Sequence, residues 1–294
     1  MTLTVFANFR IDSNERLKRM KDSYNSFGTI KINQWVINIR GKYKKSAAKF
    51  LNQKIGKKLY LSTFETGNGW FFDSKIIAKK ISSDYVFFWI EDHICTCGKK
   101  KLNLTLDEIK KNNIDYFQYS WFGGGLFLKE FKNIKKKQKK YLSYFNYDIY
   151  THKIRCKNSE KILGIKPYIL GLQGIFKVNF FFRILNSSKP FLRRWHKDTP
   201  FDFEKNANDT YILPIKFGLP NFEVFSSIDD DNRYPGSSLI SRKKYPNRVT
   251  RSKMNQIRET QSTNNNFFEI KKIIKKILFF PYIQNFAKRI SYHL

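Results

Sequence analysis

Glu91, Asp92 and His93 follow directly on the apolar run Tyr85–Ile90. Two adjacent carboxylates at the end of a buried strand suit Mg²⁺ or Mn²⁺. Such ions keep several waters and are held by one or two carboxylates together with substrate phosphates. His93 offers a further ligand, better matched to Mn²⁺ than to Mg²⁺. A metal at this point would act as a Lewis acid, neutralising a departing diphosphate. The alternative is an ordinary polar end to a strand. A second group lies at Asp202 and Glu204, after Trp195-His196, whose rings offer flat apolar faces. In an extended segment two residues so spaced point the same way. Arg193, Arg194 and Lys197 could meet a diphosphate, since arginine pairs with phosphate bidentately. Asp229-Asp230-Asp231 reads as a solvated turn ahead of Pro235-Gly236.

Other groupings carry less. His93, Cys95 and Cys97, with His152 and Cys156, invite zinc, but Cys-x-Cys is tighter than the usual spacing and no second strong pair exists. Gly123-Gly124-Gly125 lacks the Lys-Ser/Thr of a phosphate-binding loop and the spacing of a dinucleotide fingerprint. It reads as a turn.

The elements that must position these residues alternate. Strands are expected at Leu3–Phe9, Trp35–Ile39, Leu59–Phe64, Asp84–Ile90 and Tyr116–Trp121. Between them the spacing predicts helices from a cap at Asp12 or Ser13 to Phe27, over Lys44–Gln53, from the Gly67-Asn68-Gly69 turn to Ile81, and over Thr105–Asn112. In the third of these, Phe72, Ile76, Ile77 and Lys80 fall on one period. This order predicts an α/β fold with a mostly parallel sheet. Lys132–Lys140 reads as a solvated segment, Tyr168–Leu185 mixes helix and strand patterns, and Leu192–Asn208 is irregular. A first domain is expected over 1–240, a polar basic linker over 241–266, and an amphipathic helix in 267–294, with Phe267, Ile270, Ile273, Ile274 and Ile277 set against lysines.

The order of strand, helix, strand, helix, strand, glycine turn, helix, apolar strand and acidic triplet resembles the GT-A glycosyltransferases, particularly family-two-like enzymes. The resemblance covers roughly residues 1–130 in fair order and reaches more loosely to about 245. It implies a GT-A-like sheet with helices on both faces, and an enzyme moving a sugar from a nucleotide donor to a glycan or lipid-linked acceptor. Glu91-Asp92-His93 stands where that family places Asp-x-Asp, so the resemblance gives Asp92 the metal, with His93, and Glu91 a supporting role at the nucleotide. Asn8, Phe9 and Arg10 would lie in the loop meeting the nucleotide, as would Gly67, Asn68 and Gly69. Arg40 follows the second strand where many members carry an acid for the nucleotide, and it too would meet the nucleotide. The family's base comes well after the metal motif, which points to Glu204, with Asp202 second, for an inverting transfer through an oxocarbenium-like transition state. Trp195 and His196 would face the acceptor.

The chain has 294 residues and a formal net charge of +32. The charge by itself suggests a polyanionic partner, nucleic acid or an anionic membrane. Lysine, however, outnumbers arginine about three to one, and Asn, Ile, Phe and Tyr are abundant too. All have AT-rich codons, so genome bias accounts for much of the excess. Base-reading proteins also favour arginine, which makes nucleic acid the weaker expectation. The Lys-rich amphipathic segment suits an anionic membrane interface. Three cysteines build no disulfide framework and fit a reducing cytoplasm. The start Met1–Phe6 lacks the pattern of a signal peptide, and no apolar run reaches the roughly 18 residues of a membrane span. Two other readings stand: a basic nucleic-acid-binding protein, and a non-catalytic glycan-binding scaffold on the same fold.

Overall fold

The computed structural model describes residues 2–164, 166–187, 200–230 and 234–246, with backbone only at 201, 202 and 205. Trp195, His196, Arg193, Arg194, Lys197 and the segment 267–294 lie outside the described residues. The first compact unit runs Met1–Pro246, six residues past the boundary at 240 read from composition. Within 241–246, Arg242 pairs with Glu223 at 2.6 Å and the Tyr245 hydroxyl donates to Asp22 at 2.5 Å.

In chain order the elements are β1 (Leu3–Arg10), α1 (Asn14–Phe27), β2 (Gln34–Arg40), α2 (Lys44–Ile55), β3 (Leu59–Ser62), α3 (Trp70–Ala78), β4 (Tyr85–Phe88), β5 (His93–Cys95), α4 (Lys99–Lys111), β6 (Tyr116–Gln118), β7 (Lys137–Gln138), β8 (Leu142–Tyr147), α5 (Ile149–Leu163), β9 (Gly174–Lys177), α6 (Val178–Asn186), α7 (Phe201–Asn206), β10 (Ile215–Pro220) and β11 (Phe225–Ser227). Among the described residues nine strands form one sheet in the order β3-β2-β1-β4-β9-β6-β10-β8-β7. Strands β3, β2, β1 and β4 are parallel, and β6 and β10 run the same way. Strands β9 and β8 oppose them. The sheet is therefore mostly parallel, as the GT-A resemblance implies.

The two-residue period of the strands sorts the core into two layers. Leu3, Val5, Ala7 and Phe9 of β1, Trp35, Ile37 and Ile39 of β2, and Tyr85 and Phe87 of β4 face α1, α2 and α4. Phe6, Val36, Val86 and Phe88 face α3, α6 and α7. Helices thus cover both faces, which explains why β4 is buried at every position. Ser13 caps α1 by accepting from the Arg16 amide at 3.1 Å.

Three expectations are corrected. In α3 the buried face is Trp70, Phe71, Asp73, Ser74, Ile77 and Ala78, while Phe72 and Ile76 are 40% and 48% exposed. The run Trp70-Phe71-Phe72 is apolar on every side, so its period can be read in two phases. Helix α4 starts at Lys99, six residues early, because Lys99–Lys101 hide its first turn behind charge. Residues 201–206 are helical, not extended, which removes the extended-chain premise behind pairing Asp202 with Glu204.

Candidate active site

The acidic triplet sits at a topological switch point. From β1 the chain moves to β2 and β3 on one side, then returns to β4 on the other. In such sheets ligands bind in the crevice beyond the carboxyl ends of the strands flanking the reversal. Arg10 and Asp12 close β1 there, and Glu91 and Asp92 follow β4 after Trp89 and Ile90.

Trp89 anchors the turn. Its ring stands edge-on to Phe9, with centroids 4.7 Å apart, and its indole N–H donates to Ser23 Oγ at 2.9 Å. Ser23 in turn donates to the His93 carbonyl at 2.5 Å. A buried chain of hydrogen bonds thus links the core to the first residue of β5. Antiparallel pairing of β5 with β11, Ser227 opposite His93, fixes the other side, and the Ile228 amide donates to the Asp92 carbonyl at 2.8 Å.

His93 is buried, and both ring nitrogens are used. Nδ1 lies 2.7 Å from Asp92 Oδ1, and Nε2 lies 3.1 Å from Ser120 Oγ. An ionised carboxylate only accepts, so Nδ1 carries the proton. This corrects the expectation of His93 as a metal ligand: it orients Asp92 instead. The Asp92 side chain is 40% exposed. Burial works against its charge, but the His93 hydrogen bond and the nearby charges of His93, Arg16 and Arg19 outweigh this and hold its carboxyl below the usual range. Glu91 goes the other way. Burial raises its carboxyl, and the charge of Asp92 adds to that, beyond what Arg16 at 3.8 Å offsets. Two adjacent acids therefore sit with their affinities for a proton pulled apart.

Among the described residues no three of His, Cys, Asp and Glu converge to hold a metal ion. A closed protein cage is thus absent there. The donor set, one exposed ionised carboxylate with a second acid beside it, fits a Mg²⁺- or Mn²⁺-type ion that takes its other oxygens from water and phosphate.

A cleft opens next to this turn, lined by Ser120, Trp121, Phe122, Gly123, Ser227, Asp229, Ser237 and Ser238. Asp229 is not the solvated turn expected. It forms a two-pronged ion pair with buried Arg19, which also binds Glu15 at 2.9 Å. Asp230 accepts from the Gly236 and Ser238 amides and from Ser241, tying down the far wall. Gly123 through Gly125 all have positive φ, and a Cβ on Gly123 would lie 2.5 Å from the Tyr234 ring. The glycine run is therefore a fixed wall, held through Tyr234 by its hydrogen bond to Glu130 and the Glu130–Arg155 pair.

The remaining predicted residues divide. Arg10 is at the crevice, pairing with Asp12 at 2.9 Å and Glu65 at 2.6 Å. Gly67 and Asn68 form an exposed loop beside Glu65, and Gly69, with φ of 99°, precedes α3. Phe9 belongs to the core. Asn8 is buried, donating to the Trp70 carbonyl and Ser74 and accepting from Asn38 and Arg40. Arg40 is 1% exposed. Asn8, Phe9 and Arg40 are thus corrected from nucleotide contacts to supports beneath the crevice, because they point into the layers and not past the strand ends. Glu204 is half-buried on α7, whose Phe203 packs on Phe88, three residues before Glu91, at 5.7 Å. Its charge opposes ionisation of the Tyr116 phenol, which burial raises most. Asp202 shares that helix. A second cleft, with Lys177 and Arg183, lies at the amino ends of β6 and β10, the opposite end of the sheet.

No family model matches the sequence, and no curated protein matches it. Among solved structures, S. aureus TarS residues 1–349 match with a TM-score of 0.49 and 14% identity, covering 77% of this chain and 60% of that one. The same fragment in complex with UDP-GlcNAc matches with a TM-score of 0.48 and 12% identity, covering 81% and 61%. The chain therefore spans less than two thirds of the TarS fragment.

Proposed function

We propose that this chain is a glycosyltransferase that moves a sugar from a nucleoside-diphosphate donor to a glycan or lipid-linked acceptor, with inversion and with help from a divalent metal. The observation that carries the reading is Asp92: an ionised, half-exposed carboxylate, oriented by His93, at the carboxyl end of β4 beside the switch point. Asp92, with Glu91, would hold the metal, which supplies charge neutralisation for the leaving diphosphate. Arg10 and Arg16 stand at the same strand ends and suit the donor's phosphates. Ser227 and Ser237 offer hydroxyls, and Trp121 and Phe122 apolar surface, around the small recess beside the same turn. We assign the base to Glu204, with Asp202 second. Replacing each by its amide distinguishes them, the true base losing turnover by at least about 100-fold.

The reading is tested by melting the full chain with UDP, UDP-GlcNAc and other nucleoside diphosphates, with and without Mn²⁺. Stabilisation on the order of 2 kcal/mol is expected at some tens of multiples of the dissociation constant, and Asp92→Asn should remove it. If no nucleoside diphosphate stabilises the protein, the assignment falls. For 267–294 we propose an anionic membrane surface as the partner. Flotation of the full chain, but not of a 1–266 truncation, on vesicles containing phosphatidylserine is the expected result. Among the described residues no helix is long and apolar enough to cross a membrane.

A further inference from the structure

The sulfurs of Cys95 and Cys97 lie 3.8 Å apart, within reach of an S–H···S hydrogen bond. Cys95 ends β5, and in extended chain residues two apart share a side. Both thiols accordingly pack on the α1 side of the core while Thr96 between them is exposed. The pair is held in place by the Cys95 amide donating to Ser26 at 3.0 Å and the Thr96 amide to the Val224 carbonyl at 2.9 Å. Just beyond, Gly98 turns the chain with φ of 76°, and nothing lies within 4 Å of where its Cβ would be. A disulfide needs the sulfurs to close to about 2.05 Å, by side-chain rotation together with a shift of the backbone between β5 and Gly98, the cap of α4. Cys156 lies apart on α5, beside His152 at 3.5 Å. Among the described residues no third ligand joins the two thiols to make a metal centre.

We propose that Cys95 and Cys97 form a dithiol that closes to an internal disulfide by exchange with a small-molecule disulfide such as glutathione disulfide. The thiolate of one cysteine attacks the small disulfide and expels one glutathione thiolate. The second cysteine, once deprotonated, attacks the mixed disulfide and expels the other. Two cysteine thiols are oxidised, one glutathione disulfide is reduced to two glutathiones, and the two cysteine protons pass to the expelled thiolates. Ring closure outruns external glutathione because the resolving sulfur is already in contact.

The test is incubation of the full chain in glutathione buffers of rising oxidised fraction, then acid quench, alkylation and peptide mass spectrometry. The expected product is a peptide spanning both cysteines that lacks two hydrogens and takes no alkyl group, with Cys156 alkylated. In Cys97→Ser, Cys95 should instead accumulate as the glutathione adduct. Recovery of both cysteines as free thiols across the buffer series, or of stable glutathione adducts in the unaltered protein, would overturn the proposal. A melting scan of each sample confirms that the chain stays folded.

Discussion

At the residue scale, the site depends on one imidazole. With Nδ1 on Asp92 and Nε2 on Ser120, His93 both orients the carboxylate and lowers its proton affinity. His93→Ala should move Asp92 up toward an ordinary carboxylate, read by NMR titration of the side chain, and weaken nucleotide–Mn²⁺ binding by about tenfold or more. Asp92's depressed value also links stability to pH. Its contribution is complete above the unfolded value of about 3.9 and is lost as pH falls through the lower folded value. Glu91 has the opposite sign, holding its proton longer in the folded state. In the pH range where folded Glu91 keeps its proton, cation binding that uses both acids releases it. Affinity should rise with pH through the Glu91 titration, and calorimetry in buffers of different ionisation heat should count the released proton. Glu91→Gln should abolish that release. The triplet was legible in the sequence because a fully apolar strand ended on it. The Arg19–Asp229 pair was not: it joins residues 210 positions apart, and no local pattern marks it.

At the scale of elements, Trp89 and Tyr234 do comparable work on opposite sides of the cleft. Trp89→Ala leaves a cavity among Phe9, Phe27 and Trp35 and frees Ser23. A loss of about 3–5 kcal/mol is expected from denaturant unfolding. Gly123→Ala should also destabilise, since the added methyl meets the Tyr234 ring at a positive φ. Parallel strands and the α1 cap were readable from apolar runs and Ser13. Strand β9 was not, because its four residues run without a break into α6 and give no turn signal. The supports Asn8 and Arg40 were misplaced for a related reason. Arg40 ends β2 and Asn8 lies two residues inside the end of β1, where one residue's difference in phase decides between crevice and core.

At the scale of the whole molecule, the charge of +32 still has to be accounted for. If it reflects composition and not a nucleic-acid partner, filter binding to generic DNA should be weak at physiological salt. A steep fall of tight binding between two salt concentrations would favour the nucleic-acid reading instead. The order of the sheet carries a different consequence. Strand β9 lies between β4 and β6, yet it is made only after residues 119–173 have gone out and returned. Until Gly174–Lys177 leaves the ribosome, the inner edge of β4, the strand that leads to Glu91, is a bare ladder of amides and carbonyls. A nascent chain stalled near residue 150 should therefore be sticky and quickly cut by protease, while one released past residue 230 resists. The middle of this sheet, the part most shielded in the finished protein, is the part most open to wrong partners while it is being made.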